Sequence, residues 1–254
     1  MTNRRKFFQL AAAGAAGASL AGQSRATASH YAIPPMAVPS LPIAGSKLRF
    51  PIHRIYCLGL NYPAHIKEGK MPSLPPFYFQ KANDMIVENN STVQYPALTH
   101  DLEHEIEQVV AIGRGGVNIR IDDAQDHVFG YALGLDMTRR DVQNGEYHHG
   151  LPWEGGKSFE QCAPCTAIHR VADVGHISKG RIQLSVNGKL RQDDDLRSMI
   201  LNVPQAIAFI STSITLMPGD LIYMGTPAGT APVVLGDVMV GTIENFETLT
   251  IKVG

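Results

Sequence analysis

The fold expected for this chain depends on how the stretch Asp101-Leu102-Glu103-His104-Glu105 is interpreted, because this stretch fits two structures. In a strand, alternate side chains share a face, so that Asp101, Glu103 and Glu105 would point the same way. In a helix, Leu102 would instead begin an apolar stripe with the residues four, seven and eight positions later, under a charged outer face. The apolar residues 109–112 that follow suit a buried strand equally well. The stretch by itself leaves both structures open.

The strand interpretation carries a chemical consequence, because three carboxylates on one face repel one another. A hard divalent cation such as Mg²⁺, Mn²⁺ or Ca²⁺ takes oxygen ligands and relieves that repulsion. Further along, the apolar run Val128–Leu135 indicates a buried strand that ends at another carboxylate, Asp136. These acidic residues together indicate a metal site.

The remaining patterns predict mostly strands with a few helices. Residues 182–186 alternate at period two before Asn187-Gly188, which predicts a hairpin. Asn202 before Val203-Pro204 predicts a capped helix start. Apolar runs at 54–60 and 221–224 predict two more strands. The fold class is therefore mixed α+β, dominated by β-strands, rather than regularly alternating βαβ units.

The N-terminal residues have the features of an export signal. Arg4-Arg5-Lys6 precedes a weakly apolar Ala/Gly-rich run, and Ala26-Thr27-Ala28 is a small-residue cleavage pattern. This segment resembles a twin-arginine signal, so we expect residues 1–28 to be removed, and a periplasmic protein, or a cytoplasmic one if the signal does not function. Residues 29–49 are expected to be an extended leader and residues 50–254 the folded domain. No later segment is long enough to span a bilayer.

Charge and cysteine content narrow the classes of function. Without residues 1–28 the formal charge falls from −1 to −5. No basic cluster is present, so the sequence does not support nucleic-acid binding. Three cysteines do not make a disulfide framework, and Cys162-Ala163-Pro164-Cys165 could be an incidental or structural pair, a small disulfide or a redox-active pair. Zinc binding would need a second pair of ligands, and none has finger-like spacing.

The chain resembles the fumarylacetoacetate hydrolase family, whose landmarks occur in order from about residue 53 to the C-terminus. They are Gly59-Leu60-Asn61-Tyr62 with His65 and Glu68, Phe79-Gln80-Lys81, Asp101–Glu105, Gly130-Tyr131 with Asp136, Arg140-Asp141 and Gln143, Lys157-Ser158-Phe159 with Ala163-Pro164, Asn187-Gly188 with Gln192, Pro218-Gly219-Asp220, and Gly225-Thr226-Pro227-Ala228-Gly229. The resemblance implies the family's fold of rolled or sandwiched sheets with a few short helices. It also favours the strand interpretation of residues 101–105.

The resemblance implies a metal centre made of Glu103, Glu105 and Asp136 that binds Mg²⁺ or Mn²⁺, with Ca²⁺ as a further candidate. Three carboxylates and one dication leave a local negative charge, which would repel an anionic substrate. The cationic side chains Lys157 and Arg140 are expected to correct this.

The resemblance also implies the catalytic groups. His65 and Glu68 stand three residues apart, so in a helical turn they share a face, where the carboxylate can orient the imidazole as a base. We therefore expect His65, Glu68 and Lys157 to be catalytic. Three further residues are expected to contact the substrate: Arg140, Gln143 and Thr226. The Gly/Pro-rich segment after Glu68 is expected to be a lid.

These features predict a metal-dependent hydrolase that cleaves a carbon–carbon bond in a β-diketo acid, an acylpyruvate or a fumarylacetoacetate-like compound. Alternatives are an isomerase, decarboxylase or hydratase of dicarboxylic acids from aromatic degradation, an exported module that binds metal and acid without chemistry, and a thiol-redox protein. The resemblance also implies a homodimer, with a small anionic keto acid as the other partner.

Overall fold

Residues 101–112 are extended in the computed structural model, which excludes the helical alternative for the acidic stretch. A short strand, Leu102–Glu103, is followed after two residues by a longer one, Ile106–Ile112, whose residues are all buried. The structure describes residues 31–69, 74–244 and 246–254. The predicted export signal at 1–28 and part of the predicted lid, residues 70–73, lie outside the described residues.

The described part of the chain is built mainly of short strands. The strands are β1 Ser40–Pro42, β2 Arg49–Pro51, β3 Ile55–Gly59, β4 Phe77–Lys81, β5 Ile86–Glu88, β6 Thr92–Val93, β7 Leu102–Glu103, β8 Ile106–Ile112, β9 Val128–Leu135, β10 Thr138–Arg139, β11 Ala163–Cys165, β12 His169–Arg170, β13 Arg181–Val186, β14 Lys189–Asp195, β15 Leu221–Tyr223, β16 Pro232–Val233, β17 Val238–Ile243 and β18 Leu249–Val253. The helices are α1 Pro63–Glu68, α2 Arg140–His148, α3 Val171–Val174 and α4 Val203–Ser211, with 3-10 turns at Asn83–Met85, Ile121–His127, Trp153–Gly156 and Leu196–Ser198. The mixed, strand-dominated fold class predicted from the sequence is confirmed.

Two larger sheets organise these strands. One has the order β4-β3-β15-β8-β9-β11-β5, with β12 beside β9, and contains both parallel and antiparallel pairs. The other has the order β14-β13-β17-β18-β6. Smaller sheets join β10, β7 and β16, and pair β1 with β2. The strands β8 and β9 are antiparallel neighbours at the centre of the first sheet.

The core lies on both faces of this central pair. On one face of β8, Val109 and Ala111 pack with apolar residues of β3 and β15. On the other face, Val110 and Ile112 pack against the apolar side of α4. A third cluster joins Ile106 and the β9 residues to the inner face of the second sheet. Because both faces of β8 and β9 are covered, polar groups on these strands are held out of water.

Local sequence signals account for several of these elements. Asn187 and Gly188 adopt positive φ values of 50° and 74° and connect β13 to β14, which confirms the predicted hairpin. The Asn202 side chain accepts from the Gln205 backbone N–H at 3.0 Å, and the Gln205 side chain accepts from Asn202 N at 3.0 Å. This reciprocal capping box begins α4 where the sequence predicted a helix.

The predicted leader, residues 29–49, contains part of the folded body. Within it, β1 pairs with β2, and Leu41 is fully buried in a core cluster with Phe50 and Ile55. The Pro- and Ser-rich composition concealed this strand, because only long-range packing of Leu41 reveals it. Residues 38–254 form one compact unit. None of the described helices has the length and apolar character needed to cross a membrane.

Candidate active site

Three buried carboxylates meet where β8 and β9 lie side by side. Glu105 immediately precedes β8, Glu107 is its second residue, and Asp136 directly follows β9. The register pairs Glu107 with Gly134, and the Asp136 backbone N–H donates to the Glu105 carbonyl at 2.8 Å. One carboxylate oxygen from each acid lies within 4.8 Å of the others. Neighbouring antiparallel strands thus bring together residues about thirty positions apart in the sequence.

Glu107, rather than Glu103, stands with Glu105 and Asp136 in this cluster. The predicted set contained Glu103, whose Oε2 lies 2.7 Å from Arg140 Nε in an ion pair. The period-two alternation that selected Glu103 and Glu105 continues to Glu107, and the apolar run at 109–112 marks that end of the stretch as the buried one. Extending the alternation by two residues would have added Glu107 to the candidates on that face.

Two buried lysines neutralise part of the negative charge. Lys157 Nζ donates to Glu105 Oε2 at 2.8 Å, Asp136 Oδ2 at 2.9 Å and Thr138 Oγ1 at 2.6 Å. Lys81 Nζ lies 2.8 Å from Asp136 Oδ1. Both side chains are almost completely buried. Lys157 was predicted as a site residue, whereas Lys81 was noted from the sequence only as part of a family motif.

The two glutamates of the cluster have pKa values shifted in opposite directions. Burial favours the neutral form of both. At Glu105, Lys157 and then Arg140 outweigh burial and hold its pKa well below the usual value. At Glu107, burial is reinforced by the charges of Asp136 and Glu105, so its pKa lies well above the usual value. Glu107 Oε2 accepts one bond, from Gly225 N at 2.7 Å.

The donor set fits a hard divalent cation such as Mg²⁺ or Mn²⁺. All three acids supply carboxylate oxygens, which these ions prefer. Although Lys81 lies close by, Asp136 Oδ1 is buried and has no hydrogen bond of good geometry in the described part of the chain. Glu107 would also gain from a cation, because within the described residues no lysine or arginine forms an ion pair with its carboxylate as Lys157 does with Glu105. Glu105, Glu107 and Asp136 are therefore the residues that could hold the metal.

Arg140 and Gln143 lie beside this cluster on α2. Arg140 Nη2 donates to Glu105 Oε1 at 2.5 Å, and Nη1 donates to Gln143 Oε1 at 2.6 Å. The same guanidinium holds Glu103, as described above. The structure thus brings Arg140 to the carboxylates and Gln143 to Arg140, with Glu103 as a counter-ion of Arg140 rather than a member of the cluster.

His65 and Glu68 lie on α1 and face one another across one helical turn. Their side chains approach to 3.6 Å between Nδ1 and Oε2, slightly longer than a hydrogen bond. Glu68 is oriented from the other side, since both of its oxygens accept from Gly229 N, at 2.9 and 3.1 Å. His65 is near enough to Glu105 to contribute to lowering the pKa of that carboxyl. The pair therefore borders the carboxylate cluster.

Thr226, the remaining predicted contact, is buried between the two larger sheets. Its Oγ1 donates to the Ile106 carbonyl at 2.9 Å and accepts from Gln192 Nε2 at 2.8 Å. It therefore anchors residues 225–229 to the start of β8, next to Glu105 and Glu107.

The cysteines are free thiols. Cys162 and Cys165 are buried and not bonded to each other. Burial raises the pKa of Cys165 to about 12, so its reactive thiolate is scarcely populated near neutral pH. Cys162 Sγ accepts from Phe159 N and donates to the Lys157 carbonyl, each at 3.4 Å. These contacts favour a structural role over redox chemistry.

Comparison with known proteins finds similar chains in sequence and in structure. A fumarylpyruvate hydrolase from Ralstonia sp is 42% identical over 178 residues, 70% of this chain and 92% of that protein. A mitochondrial oxaloacetate tautomerase from Homo sapiens is 38% identical over 200 residues, 78% of this chain and 90% of that protein. The crystal structure of a fumarylpyruvate hydrolase from Pseudomonas aeruginosa in complex with Mn²⁺ and pyruvate superposes with a TM-score of 0.86 at 40% identity, covering 88% of this chain and 98% of that one.

The family model for the C-terminal part of fumarylacetoacetate (FAA) hydrolase matches residues 54–254. That range contains the carboxylate cluster, both lysines and the pair His65 and Glu68. The chain belongs to the fumarylacetoacetate hydrolase family.

Proposed function

We propose that this protein is a divalent-metal-dependent hydrolase that cleaves the carbon–carbon bond of an acylpyruvate. The observation that carries the proposal is the buried cluster of Glu105, Glu107 and Asp136. It occurs in a chain 42% identical to a fumarylpyruvate hydrolase and similar in structure to one that holds Mn²⁺ and pyruvate. A bound Mg²⁺ or Mn²⁺ would supply Lewis-acid charge at the oxygens of the keto acid.

The protein's own residues prepare the site for an anionic substrate. Lys157 and Lys81 oppose the negative charge of Glu105 and Asp136, and Lys157 lowers the pKa of Glu105. Arg140 presents N–H donors that Glu103, Glu105 and Gln143 hold in place. In this low-dielectric setting, fixed donors stabilise developing negative charge more strongly than water does.

His65 acts as the base toward water. It removes a proton from water as the oxygen attacks the acyl carbonyl, and Glu68 stabilises the imidazolium that forms. The bond between the acyl carbon and the methylene carbon of the pyruvate unit then breaks, and its electron pair stays with the methylene carbon as an enolate. Proton return from His65 to that carbon gives pyruvate, so one water and one acylpyruvate become one carboxylic acid and pyruvate.

A spectrophotometric assay tests this reaction. The protein is loaded with Mn²⁺ or Mg²⁺ and offered a panel of acylpyruvates, with loss of enol absorbance followed alongside pyruvate release. We expect turnover that EDTA abolishes and that falls by about 10²- to 10⁴-fold in His65→Ala, the range for loss of a general base. Absence of both turnover and bound metal would overturn the proposal, whereas bound metal without turnover would favour the non-catalytic module that binds metal and acid. Full turnover in His65→Ala would overturn the role given to the histidine.

A second activity is favoured by one comparison. The oxaloacetate tautomerase from Homo sapiens is 38% identical to this chain over most of its length. An enolate can be formed without attack of water. Proton removal from the methylene carbon of oxaloacetate leads to its isomerisation, and loss of the neighbouring carboxylate as CO₂ leads to its decarboxylation, so the same site could do either. Enol–keto exchange of oxaloacetate without pyruvate release would identify a tautomerase, and CO₂ release a decarboxylase.

We further propose export to the periplasm by the twin-arginine route. The support is the sequence Arg4-Arg5-Lys6 with its apolar run and Ala26-Thr27-Ala28. Replacing both arginines, as Arg4→Lys with Arg5→Lys, is expected to leave the full-length chain in the cytoplasm. Unchanged fractionation of the mature form would contradict this route.

A homodimer is proposed as the assembly. The family resemblance supports it, and Leu98 and Leu235 are apolar side chains left 86% and 68% exposed. Light scattering of the mature protein is expected to give twice the chain mass. A monomeric mass across micromolar concentrations would contradict the proposal.

A further inference from the structure

A buried amide, Gln192, connects the two larger sheets at the candidate active site. It lies in β14 next to a register shift opposite Leu184 and Ser185, and its side chain is fully buried. A β-bulge of this kind redirects a side chain from the regular alternation of its strand. Here the amide is directed toward the start of β8 and the residues 225–229.

All the hydrogen-bonding directions of this amide are used. Oε1 accepts from Ile106 N at 3.1 Å and faces His104 Nδ1 at 2.9 Å. Nε2 donates to Thr226 Oγ1 and to the Pro227 carbonyl, both at 2.8 Å. A backbone N–H can only donate and a carbonyl can only accept, so Ile106 and Pro227 fix which end of the amide is which.

This orientation determines where two protons lie. Because Oε1 is an acceptor, His104 carries its proton on Nδ1. Its Nε2 is buried without a hydrogen-bond partner among the described residues. Because Nε2 of Gln192 donates to Thr226 Oγ1, the hydroxyl proton must point away from Gln192. In this structure it points to the Ile106 carbonyl. The hydroxyl is therefore presented as a donor.

The residues 225–229 that Gln192 holds carry two backbone donors of the site. Gly225 N donates to Glu107 and Gly229 N to Glu68. Both glycines have positive φ, 90° and 99°, and a Cβ at Gly229 would collide with the carbonyl oxygen of Arg191, the residue before Gln192. The segment is thus seated directly on β14 and cannot move without breaking the amide contacts.

We propose that Gln192 is a positioning residue that sets the proton direction of Thr226 and fixes the segment 225–229 against Glu107 and Glu68. Gln192 thus links the carboxylate cluster to the His65–Glu68 pair, although it lies in a different sheet from β8 and β9. The inference rests on the proposed function for its kinetic consequence, while its effects on metal affinity and on His104 are independent of any substrate.

The isosteric variant Gln192→Glu tests the proposal. Its carboxylate still accepts from Ile106 and His104, but it cannot donate to Thr226 and places an oxygen against the Pro227 carbonyl. We expect the Kd for Mn²⁺, measured by titration calorimetry, to rise by about 10- to 100-fold, the effect typical of losing a group that orients a metal ligand. Gln183→Glu makes the same change in β13, where the side chain meets Asp193, and is expected to leave the Kd unchanged. Unchanged Mn²⁺ affinity in Gln192→Glu would overturn the proposal.

Kinetics and NMR separate positioning from general destabilisation. With an acylpyruvate substrate, KM is expected to rise in Gln192→Glu. The rise should be smaller in a Thr226→Val background, because both changes act through one hydroxyl. Equal rises in both backgrounds would refute action through Thr226.

If Gln192→Glu does not fold, ¹⁵N chemical shifts of His104 in the wild type still test the proposal, since protonation on Nε2 of His104 would contradict the amide orientation. If no acylpyruvate is turned over, the proposed function is wrong, but the Kd for Mn²⁺ and the His104 shifts still test the role of Gln192.

Discussion

Glu103 and Glu107 are two residues of one chemical type, four positions apart, that the fold places in different surroundings. Glu103 is an ion-pair partner of Arg140, and Glu107 is buried beside Glu105 and Asp136. The sequence predicted Glu105 and Asp136 as site residues, and the structure brings both into the carboxylate cluster. The sequence was not sufficient to choose between Glu103 and Glu107, because period-two alternation selects a face but not the residues of that face that reach the neighbouring strand.

Substitution of each glutamate by glutamine is expected to separate these roles. Glu107→Gln removes a charged oxygen ligand while keeping an acceptor for Gly225 N, so Mn²⁺ binding should weaken by at least about 100-fold, beyond the loss of an orienting contact. Glu103→Gln is the matched control and should bind Mn²⁺ with a much smaller loss. Calorimetric titration of both variants provides the measurement. The reverse order of affinities would restore Glu103 to the metal centre.

The raised pKa of Glu107 predicts how the metal-free protein responds to pH. The pKa of Glu107 is higher in the folded than in the unfolded state. Its contribution to the stability of the wild type is therefore fully present below about pH 4.3, the usual glutamate value, and is lost as pH rises through the raised value. Glutamine is neutral throughout. In EDTA, the Tm of Glu107→Gln relative to wild type should therefore increase with pH, as scanning calorimetry can follow. A pH-independent difference would show that Glu107 is not buried as a carboxylate.

At the scale of elements, the predictions that succeeded have local causes. The Asn-Gly pair required positive φ at two successive residues and gave the hairpin β13–β14. The cap and early proline gave α4. The strand β1 was missed because its proline and serine neighbours resemble a linker, and burial of Leu41 depends on partners far along the chain.

The capping box of α4 gives a stability prediction at this scale. Asn202→Ala removes the acceptor for Gln205 N and should lower the free energy of unfolding by about 1 kcal/mol. The helix α4 packs on Val110 and Ile112 of β8, whereas Glu107 points to the opposite face of that strand. We therefore expect Mn²⁺ affinity to be retained. Urea denaturation measures the first quantity and titration the second. A change in Mn²⁺ affinity without a change in stability would contradict this assignment.

At the scale of the whole molecule, the order of strands lay beyond sequence reasoning. The central sheet places β3 in parallel beside β15, with Leu221 opposite Ile55, although some 166 residues separate them in the chain. Hydrophobic periodicity identifies such strands singly but contains no information on which strands become neighbours. The family resemblance supplied the fold that local patterns could not.

The folded body begins before the predicted boundary at residue 50, and this has a measurable consequence. A chain that starts at residue 38 should be more stable than one that starts at residue 50, which lacks β1 and its buried Leu41. In the longer chain, Leu41→Ala should cost about 2–5 kcal/mol, as for other fully buried leucines. Urea denaturation of the three proteins gives the comparison. Equal stability of the two chains would return residues 38–49 to the leader.

The thiol of Cys162 is tied by hydrogen bonds to Phe159 and to the backbone of Lys157, the residue that bridges two acids of the cluster. Because this sulfur is buried, an alkylating reagent reaches it only when the protein around residues 157–162 opens. The rate of Cys162 labelling therefore measures how often this part of the site opens, and the natural sequence already contains the thiol needed for that measurement.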